Sequence, residues 1–277
     1  MKTATPHDRP NWFAGTFTAA WLVIVGVPLY TMVSWSLQTR DGFLDNGPIA
    51  LPRALTLENF FTVVNDGFGR YLVNTVIVTV ACVVLTLVAA IPAAYAIVRS
   101  RSWLASTAFR IFLLGLAIPA QATIIPLYLI INRLQLYDSL TAIVLPTVAF
   151  GLPLAILVLA GSLRDVSDEL YDAMTVDGAG PFRILWQLVV PVSRGSIAAV
   201  GTYAALGAWN QFLFPLILTQ DPDLRTLTLG LTKFRQEFQI NLPGMMMAVL
   251  LTALPVFVLY LVARRWLIAG LAGMGGR

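Results

Sequence analysis

The chain alternates long apolar runs with short polar segments. Six stretches contain no Asp, Glu, Lys or Arg and are each long enough to cross a bilayer: residues 10–39, 71–98, 111–132, 139–163, 195–220 and 238–263. A helix of about 20 apolar residues spans the hydrocarbon core. These runs are apolar on every face, whereas the strands of a membrane barrel alternate apolar and polar residues. The pattern predicts an all-α, polytopic membrane protein with six transmembrane helices.

A polar and acidic segment, Glu169 to Pro191, separates the fourth and fifth runs. The spacing i, i+3, i+4 and i+7 puts four acids on one face of a helix: Asp165, Asp168, Glu169 and Asp172. The pair Asp177–Gly178 then predicts the end of that helix, because glycine adopts a positive φ without strain. A helix lying on the bilayer is the alternative, but such helices usually carry Lys or Arg on their polar face. An acidic face therefore favours docking to a basic protein partner.

Composition and charge agree with a membrane protein and indicate its orientation. Hydrophobic residues make up 58% of the chain and charged residues only 12%, which excludes an ordinary soluble domain. With both termini inside, the cytoplasmic segments hold eleven of the eighteen Lys and Arg residues, as the positive-inside rule favours. We therefore expect a multi-pass protein with both termini in the cytoplasm and a first run that is retained as an anchor.

The sequence disfavours several kinds of chemistry. No Asp, Glu, Lys or Arg lies inside the six runs, so coupling to an ion through a buried carboxylate is disfavoured. A phosphate-binding loop needs Gly-Lys-Ser/Thr, yet Lys2 and Lys233 follow Met1 and Thr232. With a single Cys82 and a single His7, the chain has no intrachain disulfide, no thiolate metal site and no Ser/His/Asp grouping. We expect no catalytic residue and no cofactor in this chain, and a net charge of +4 without a basic cluster gives no support for nucleic-acid binding.

The acidic segment resembles the EAA motif of ABC-importer permeases, the loop that couples the membrane subunit to a nucleotide-binding subunit. The residues that match are Glu169, Leu170, Asp172, Ala173, Asp177, Gly178, Ala179, Phe182 and Pro191. Met174 departs from a usual alanine and is expected to alter how the helix seats in its partner, whereas Ser167 departs from a common proline and is expected to cap the helix. The resemblance implies the type I importer permease fold and the coupling residues Glu169, Asp172, Ala173, Met174, Asp177, Gly178 and Ala179.

Further motifs are similar to the second, maltose-type permease subunit of sugar importers. They are LTLENF from Leu55, Asn74–Thr75, IPLYLI from Ile125, AWNQFLFPL from Ala208 and RTLTLGL from Arg225. The C-terminal GMGGR departs from that subfamily. The resemblance implies import of a sugar or oligosaccharide across the bacterial cytoplasmic (inner) membrane by alternating access. It also implies a second, homologous permease subunit, a dimer of ATP-binding subunits that hold ATP and Mg, and an extracellular sugar-binding protein as partners.

The sequence further suggests a division of the chain and a set of pathway residues. We expect a tail, first helix and external cap in residues 1–70, a permease core in 71–265 with the coupling loop at 164–191, and a cytoplasmic tail in 266–277. Thr56 is expected to start a short helix in the cap, and the 220–239 connection to contact the binding protein. Neutral polar residues near or within the runs are pathway candidates, with helix packing as their alternative role: Asn74, Gln121, Thr123, Asn132, Trp209, Asn210 and Gln211. Several prolines are expected to interrupt or kink the runs: Pro119, Pro126, Pro146, Pro153 and Pro215.

Two other classes of function stay open at this stage. One is a permease of the same fold for another neutral solute, since an anion would usually require Arg or Lys in the pathway. The other is a membrane scaffold or enzyme outside the ABC class, which the lack of a reactive cluster disfavours.

Overall fold

The computed structural model describes residues 12–47, 49–100, 102–234 and 241–272, and the regular structure in these ranges is helical, without strands. The predicted all-α fold is thereby confirmed. In chain order the helices are α1 (Trp12–Ser36), α2 (Arg40–Asn46), α3 (Glu58–Val63), α4 (Gly69–Arg99), α5 (Trp103–Gly115), α6 (Ile124–Arg133), α7 (Leu140–Arg164), α8 (Asp168–Val176), α9 (Pro181–Ile184), α10 (Val190–Val192), α11 (Arg194–Trp209), α12 (Leu213–Leu218), α13 (Leu227–Gly230) and α14 (Leu242–Ala272).

Not every predicted run forms one continuous membrane-spanning helix. Three are long and apolar enough to cross a bilayer: α1, the stretch Glu58–Arg99 that contains α3 and α4, and α7. Two more spans exist only if each bent pair counts as one: Trp103–Gly115 with Ala120–Arg133, bent by 95°, and Pro181–Val192 with Arg194–Trp209, bent by 80°. In the sixth run, Leu242–Val258 is a shorter apolar helix. The described residues therefore provide three spans, or up to five, and the predicted count of six is not confirmed.

Local backbone chemistry explains the break in the third run. Pro119 disfavours a helical conformation at Ile118 and has no N–H to donate, so α5 ends at Gly115 and a 3₁₀ turn begins at Ala120. In the fifth run, α11 ends at Trp209 and α12 begins at Leu213. Proline is not sufficient to break a helix here, because α7 continues through Pro146 and Pro153.

Residues Gly67–Thr232 form one compact unit with the part of α14 that begins at Thr252. Its main contacts join α4 to α7 and α11. Ala90 and Ala94 of α4 are fully buried, in a cluster with Ala155 and Ala160 of α7. Small side chains allow the backbones of two helices to approach closely, so these alanines let α4 pack closely on α7.

A second buried cluster of the same unit lies towards the first half of α4. It joins Val78 and Cys82 to Ile143 of α7 and Phe214 of α12. Cys82 is buried, as expected for a small packing residue.

The other compact unit consists of residues up to Asp66 together with Lys233–Leu251. Thr39 caps α2, a helix that the sequence pattern did not predict. The Thr56 hydroxyl accepts a hydrogen bond from the N–H of Glu58 at 3.1 Å, which confirms its predicted place at the start of a helix. The buried Asn59 amide donates to the carbonyl oxygens of Ser36 and Gln38 at 2.9 and 2.7 Å, and so ties α3 to the end of α1.

The contact between α4 and α7 provides a test of the fold. Ala90→Leu inserts three carbon atoms at a position with no free space, and we expect it to lower the free energy of unfolding by about 1–3 kcal/mol. Ala89→Leu is the matched control, since Ala89 is the neighbouring residue and is exposed. Thermal unfolding in detergent measures both variants, and equal melting temperatures would contradict the packing described.

Candidate functional site

The acidic segment forms helix α8 with the predicted signals at both ends. The Ser167 hydroxyl accepts a hydrogen bond from the N–H of Glu169 at 3.3 Å and caps the start. At the other end Gly178 has a φ of +75°, and the N–H of Ala179 donates to the carbonyl of Met174 at 2.9 Å. A left-handed glycine with this return hydrogen bond is a common way for a helix to end. The predicted helix and its glycine stop are both present, but the predicted acidic face is shorter, because Asp165 lies before α8, at the end of α7.

The two faces of α8 have different surroundings. Tyr171 is buried, Met174 is half-buried, and Ala179 just beyond the helix is buried, all against the chain's own core. The opposite face is exposed and consists of Glu169, Asp172, Ala173 and Val176. Of the predicted coupling residues, Glu169, Asp172, Ala173, Asp177 and Gly178 are therefore accessible to another protein, whereas Met174 and Ala179 face their own bundle.

Sequence reasoning missed Val176, which is 87% exposed. It follows Glu169 by seven residues and Asp172 by four, and this helical spacing would have placed it on the same face. Phe182 and Trp186 follow α8 in the chain, and both side chains are exposed. Exposed apolar residues therefore come directly after the acidic helix.

Arg99, at the end of α4, contacts the inner edge of α8. Its guanidinium forms an ion pair with Asp168, approaches the carboxylate of Asp172 at 4.0 Å, and lies 4.2 Å from the centre of the Tyr171 ring. The sequence argument assigned the acidic face to a basic partner protein, yet two of the four acids have a basic partner within this chain. Arg99 lies 69 residues before Asp168, so helical periodicity gave no sign of the pairing.

Burial also affects Tyr171. It raises the pKa of the phenol above its usual value, an effect that the nearby Arg99 guanidinium opposes. Among the described residues, the Tyr171 hydroxyl has no hydrogen-bond partner.

The predicted pathway residues do not come together in one place. The Asn74 side-chain amide is used for packing, since it donates to the carbonyls of Asp223 and Arg225 at 2.7 and 3.0 Å. Thr123 and Asn210 donate to carbonyls of their own helical turns, and Asn132 does the same on α6. Gln121 is exposed.

Two cavities lie between helices of the larger unit, and each is lined by one pathway candidate. One, of about 390 Å³, is almost wholly apolar and includes Trp209, whose indole N–H donates to the carbonyl of Thr252 at 3.3 Å. The other, of about 270 Å³, includes Gln211 together with Thr86, Thr147 and Tyr203 of α4, α7 and α11. Neither lining contains a charged side chain.

The segment that follows α12 is held by side chains from elsewhere in the same unit. Asp138 accepts hydrogen bonds from the N–H groups of Gln220 and Asp221 at 2.8 and 3.0 Å, and these bonds lower the pKa of its carboxyl group. Thr75 accepts one from the N–H of Leu227 at 2.8 Å. Together with the Asn74 bonds, these contacts fix residues 219–227 against the starts of α4 and α7.

Comparison with known proteins gives one family and several similar chains. Residues 84–272 match the family described as binding-protein-dependent transport system inner membrane component. The chain is 34% identical over 264 residues to ABC transporter permease protein ORF2 of Caldicellulosiruptor sp., covering 95% of this chain and 96% of that one. It is 31% identical to the diacetylchitobiose uptake system permease protein NgcG of Streptomyces coelicolor, over 92% of this chain and 85% of NgcG.

A solved structure has the same fold. It is a chain of a bacterial ABC transporter involved in the import of the acidic polysaccharide alginate, with a TM-score of 0.80 and 19% identity. The likeness covers 95% of this chain and 99% of that chain.

The tie between Asn74 and the segment 219–227 can be tested. Asn74→Ala leaves two backbone carbonyls without their donor, and we expect amide hydrogen exchange of Gln220, Asp221 and Leu227 to become about fivefold faster, as for the loss of about 1 kcal/mol. Asn132→Ala is the control, since the Asn132 amide donates only within α6, to Tyr128. Unchanged exchange in Asn74→Ala would contradict a packing role and favour the pathway role predicted from the sequence.

Proposed function

Because the chain belongs to the family of binding-protein-dependent transport system inner membrane components, we propose that it forms the membrane pathway of an ATP-driven importer for a sugar or oligosaccharide. It is the permease subunit of an ABC transporter and not an enzyme. Its membrane would be the bacterial cytoplasmic membrane, with both termini in the cytoplasm.

The exposed face of α8 carries this proposal. Glu169, Asp172, Ala173 and Val176 form a small surface of mixed charge and apolar character that the chain leaves uncovered. A groove of an ATP-binding subunit with basic and apolar residues would complement it. ATP and Mg would be held by a dimer of those subunits, and closure of the dimer would displace α8.

Alternating access requires that ATP favour one arrangement of the bundle over another through differential contacts. We propose that Asp172, Ala173 and Gly178 transmit this preference, with Glu169, Val176 and Asp177 beside them on the exposed surface. Met174 and Ala179 would support α8 from beneath, because they pack against their own bundle.

A neutral sugar fits the uncharged character of the two cavities. Hydroxyl and amide groups at Thr86, Tyr203 and Gln211 offer hydrogen-bonding partners for sugar hydroxyls, and Phe150 adds an aromatic surface to the same cavity. The name of the similar NgcG protein, which specifies diacetylchitobiose uptake, supports this class of substrate. Another neutral solute is the second candidate, favoured by the almost wholly apolar lining of the larger cavity.

Two further partners follow from the family. A second, homologous permease subunit would complete the pathway, and an extracellular sugar-binding protein would deliver the substrate. The segment 219–227, held in place by Asp138, Asn74 and Thr75, is the surface that we assign to the binding protein.

Purification of the tagged protein in mild detergent from cells that produce the whole transporter tests the proposal. We expect a second permease and an ATP-hydrolysing subunit to copurify. Gly178→Val should abolish this association, because a β-branched residue is strained at a φ of +75°. Gly180→Val is the control: this glycine is also exposed with open space around it, but its φ is −75°.

Recovery of the protein alone, without an ATP-hydrolysing subunit, would contradict the proposed function. Equal behaviour of the two glycine variants would contradict the role of α8.

The assignment of the cavity leads to a separate prediction. Tyr203→Phe removes one hydroxyl from its lining, and we expect the KM for uptake of diacetylchitobiose or the related sugar that proves to be transported to rise about fivefold, equivalent to about 1 kcal/mol. Gln121→Leu is the control, since Gln121 is exposed and lines neither cavity. A KM that is unchanged in Tyr203→Phe would remove this cavity from the pathway.

A further inference from the structure

The carboxyl end of α4 brings two side chains to one aromatic ring of the acidic helix. Tyr95 and Arg99 are four residues apart and therefore lie on the same face of α4. The Tyr95 ring is stacked near the Tyr171 ring, with centroids 6.3 Å apart and an angle of 19° between the planes. The Arg99 guanidinium covers the Tyr171 ring at 4.2 Å. Tyr171 is only 2% exposed, and α4 contributes both of these side chains to its surroundings.

The same guanidinium also reaches both carboxylates on the near edge of α8. Asp168 and Asp172 are one turn apart, and Arg99 pairs with the first through Nη1 and faces the second through Nη2 at 4.0 Å. A planar guanidinium can bond two carboxylates while it stacks on a ring, which the ammonium group of lysine cannot do. Arg99 also suits the negative end of the α4 dipole, where a basic residue is favoured.

These contacts create a connection that the chain path does not provide. Along the chain, α8 is joined to α7 by residues 165–167 and to α9 by residues 177–180. Arg99 adds a third attachment, to the helix that packs most extensively on α7 and α11. A force applied to the exposed face of α8 therefore has a direct route to the centre of the helical unit.

We propose that Arg99 is a positioning residue that fastens α8 to α4, so that displacement of α8 by the ATP-binding subunit moves α4 with it. This inference rests on the proposed function. It assigns the attachment to the three contacts of one side chain, with Asp168, Asp172 and Tyr171. Glu169, Ala173 and Val176 stay free for the ATP-binding subunit. Loss of the attachment would leave ATP hydrolysis intact and separate it from transport.

The experiment uses the whole transporter reconstituted in liposomes. ATP hydrolysis and sugar uptake are measured in the same vesicles. The labelled sugar is diacetylchitobiose, or the related sugar that proves to be transported. We expect Arg99→Gln to assemble and hydrolyse ATP, but to consume about tenfold more ATP per sugar imported, a factor typical of coupling between sites. Arg99→Lys keeps the positive charge but lacks the planar guanidinium, so we expect an intermediate amount of ATP consumed per sugar imported. Arg110→Gln is the control, because it makes the same change at an exposed arginine of α5, outside α4 and α8.

A second variant separates attachment from a simple requirement for arginine at this position. The double variant Arg99→Asp with Asp168→Arg exchanges the two charges, and we expect it to restore at least half of the normal number of sugar molecules imported per ATP. If the single variants assemble poorly, this double variant is the one that tests the attachment. An unchanged ratio in Arg99→Gln, an equal fall of hydrolysis and uptake, or no recovery in the exchanged pair would overturn the inference. A wild-type complex that shows no ATP-driven sugar uptake would instead refute the proposed function, and with it the inference that depends on it.

Discussion

The close contact of α4 with α7 is the constraint on which the larger unit depends. Ala90 and Ala94 have no side chain beyond Cβ, and both are fully buried beside the alanines of α7. In a bilayer the hydrophobic effect does not drive helices together, so association depends on van der Waals contact between closely approaching backbones. α11 packs on both helices, and the cavity at Gln211 lies between the three.

Much of this architecture was predictable because it depends on local chemistry. Charge-free runs identified membrane helices, and the cap at Ser167 and the glycine stop at Gly178 were read from residue type and spacing. Several prolines were expected to interrupt or kink the runs, but a hydropathy pattern does not record the backbone and could not tell which of them would do so. Pro119 broke its helix and Pro146 did not, although both lie in apolar surroundings.

The candidate site was predictable only in part, because the sequence pattern does not record tertiary contacts. Periodicity placed Glu169 and Asp172 on one face of α8, but it could not show that Ala173 is exposed and that Met174 packs inward without knowledge of what lies beneath the helix. The ion-pair partner of Asp168 could not be predicted, because Arg99 and Asp168 are far apart in the sequence and only tertiary packing brings them together. For the same reason Asn74, an apparent pathway residue, is occupied by the carbonyls of a distant segment.

The hydrogen bonds that hold residues 219–227 have an entropic consequence. A surface segment without such bonds samples many conformations, and a protein that binds it must pay about 1–2 kcal/mol for each residue whose backbone it orders. Here Asp138, Asn74 and Thr75 have already restricted the backbone during folding. A protein that contacts this surface would therefore meet a preorganised shape, so that its affinity would depend on the complementarity of the two surfaces and less on their ordering.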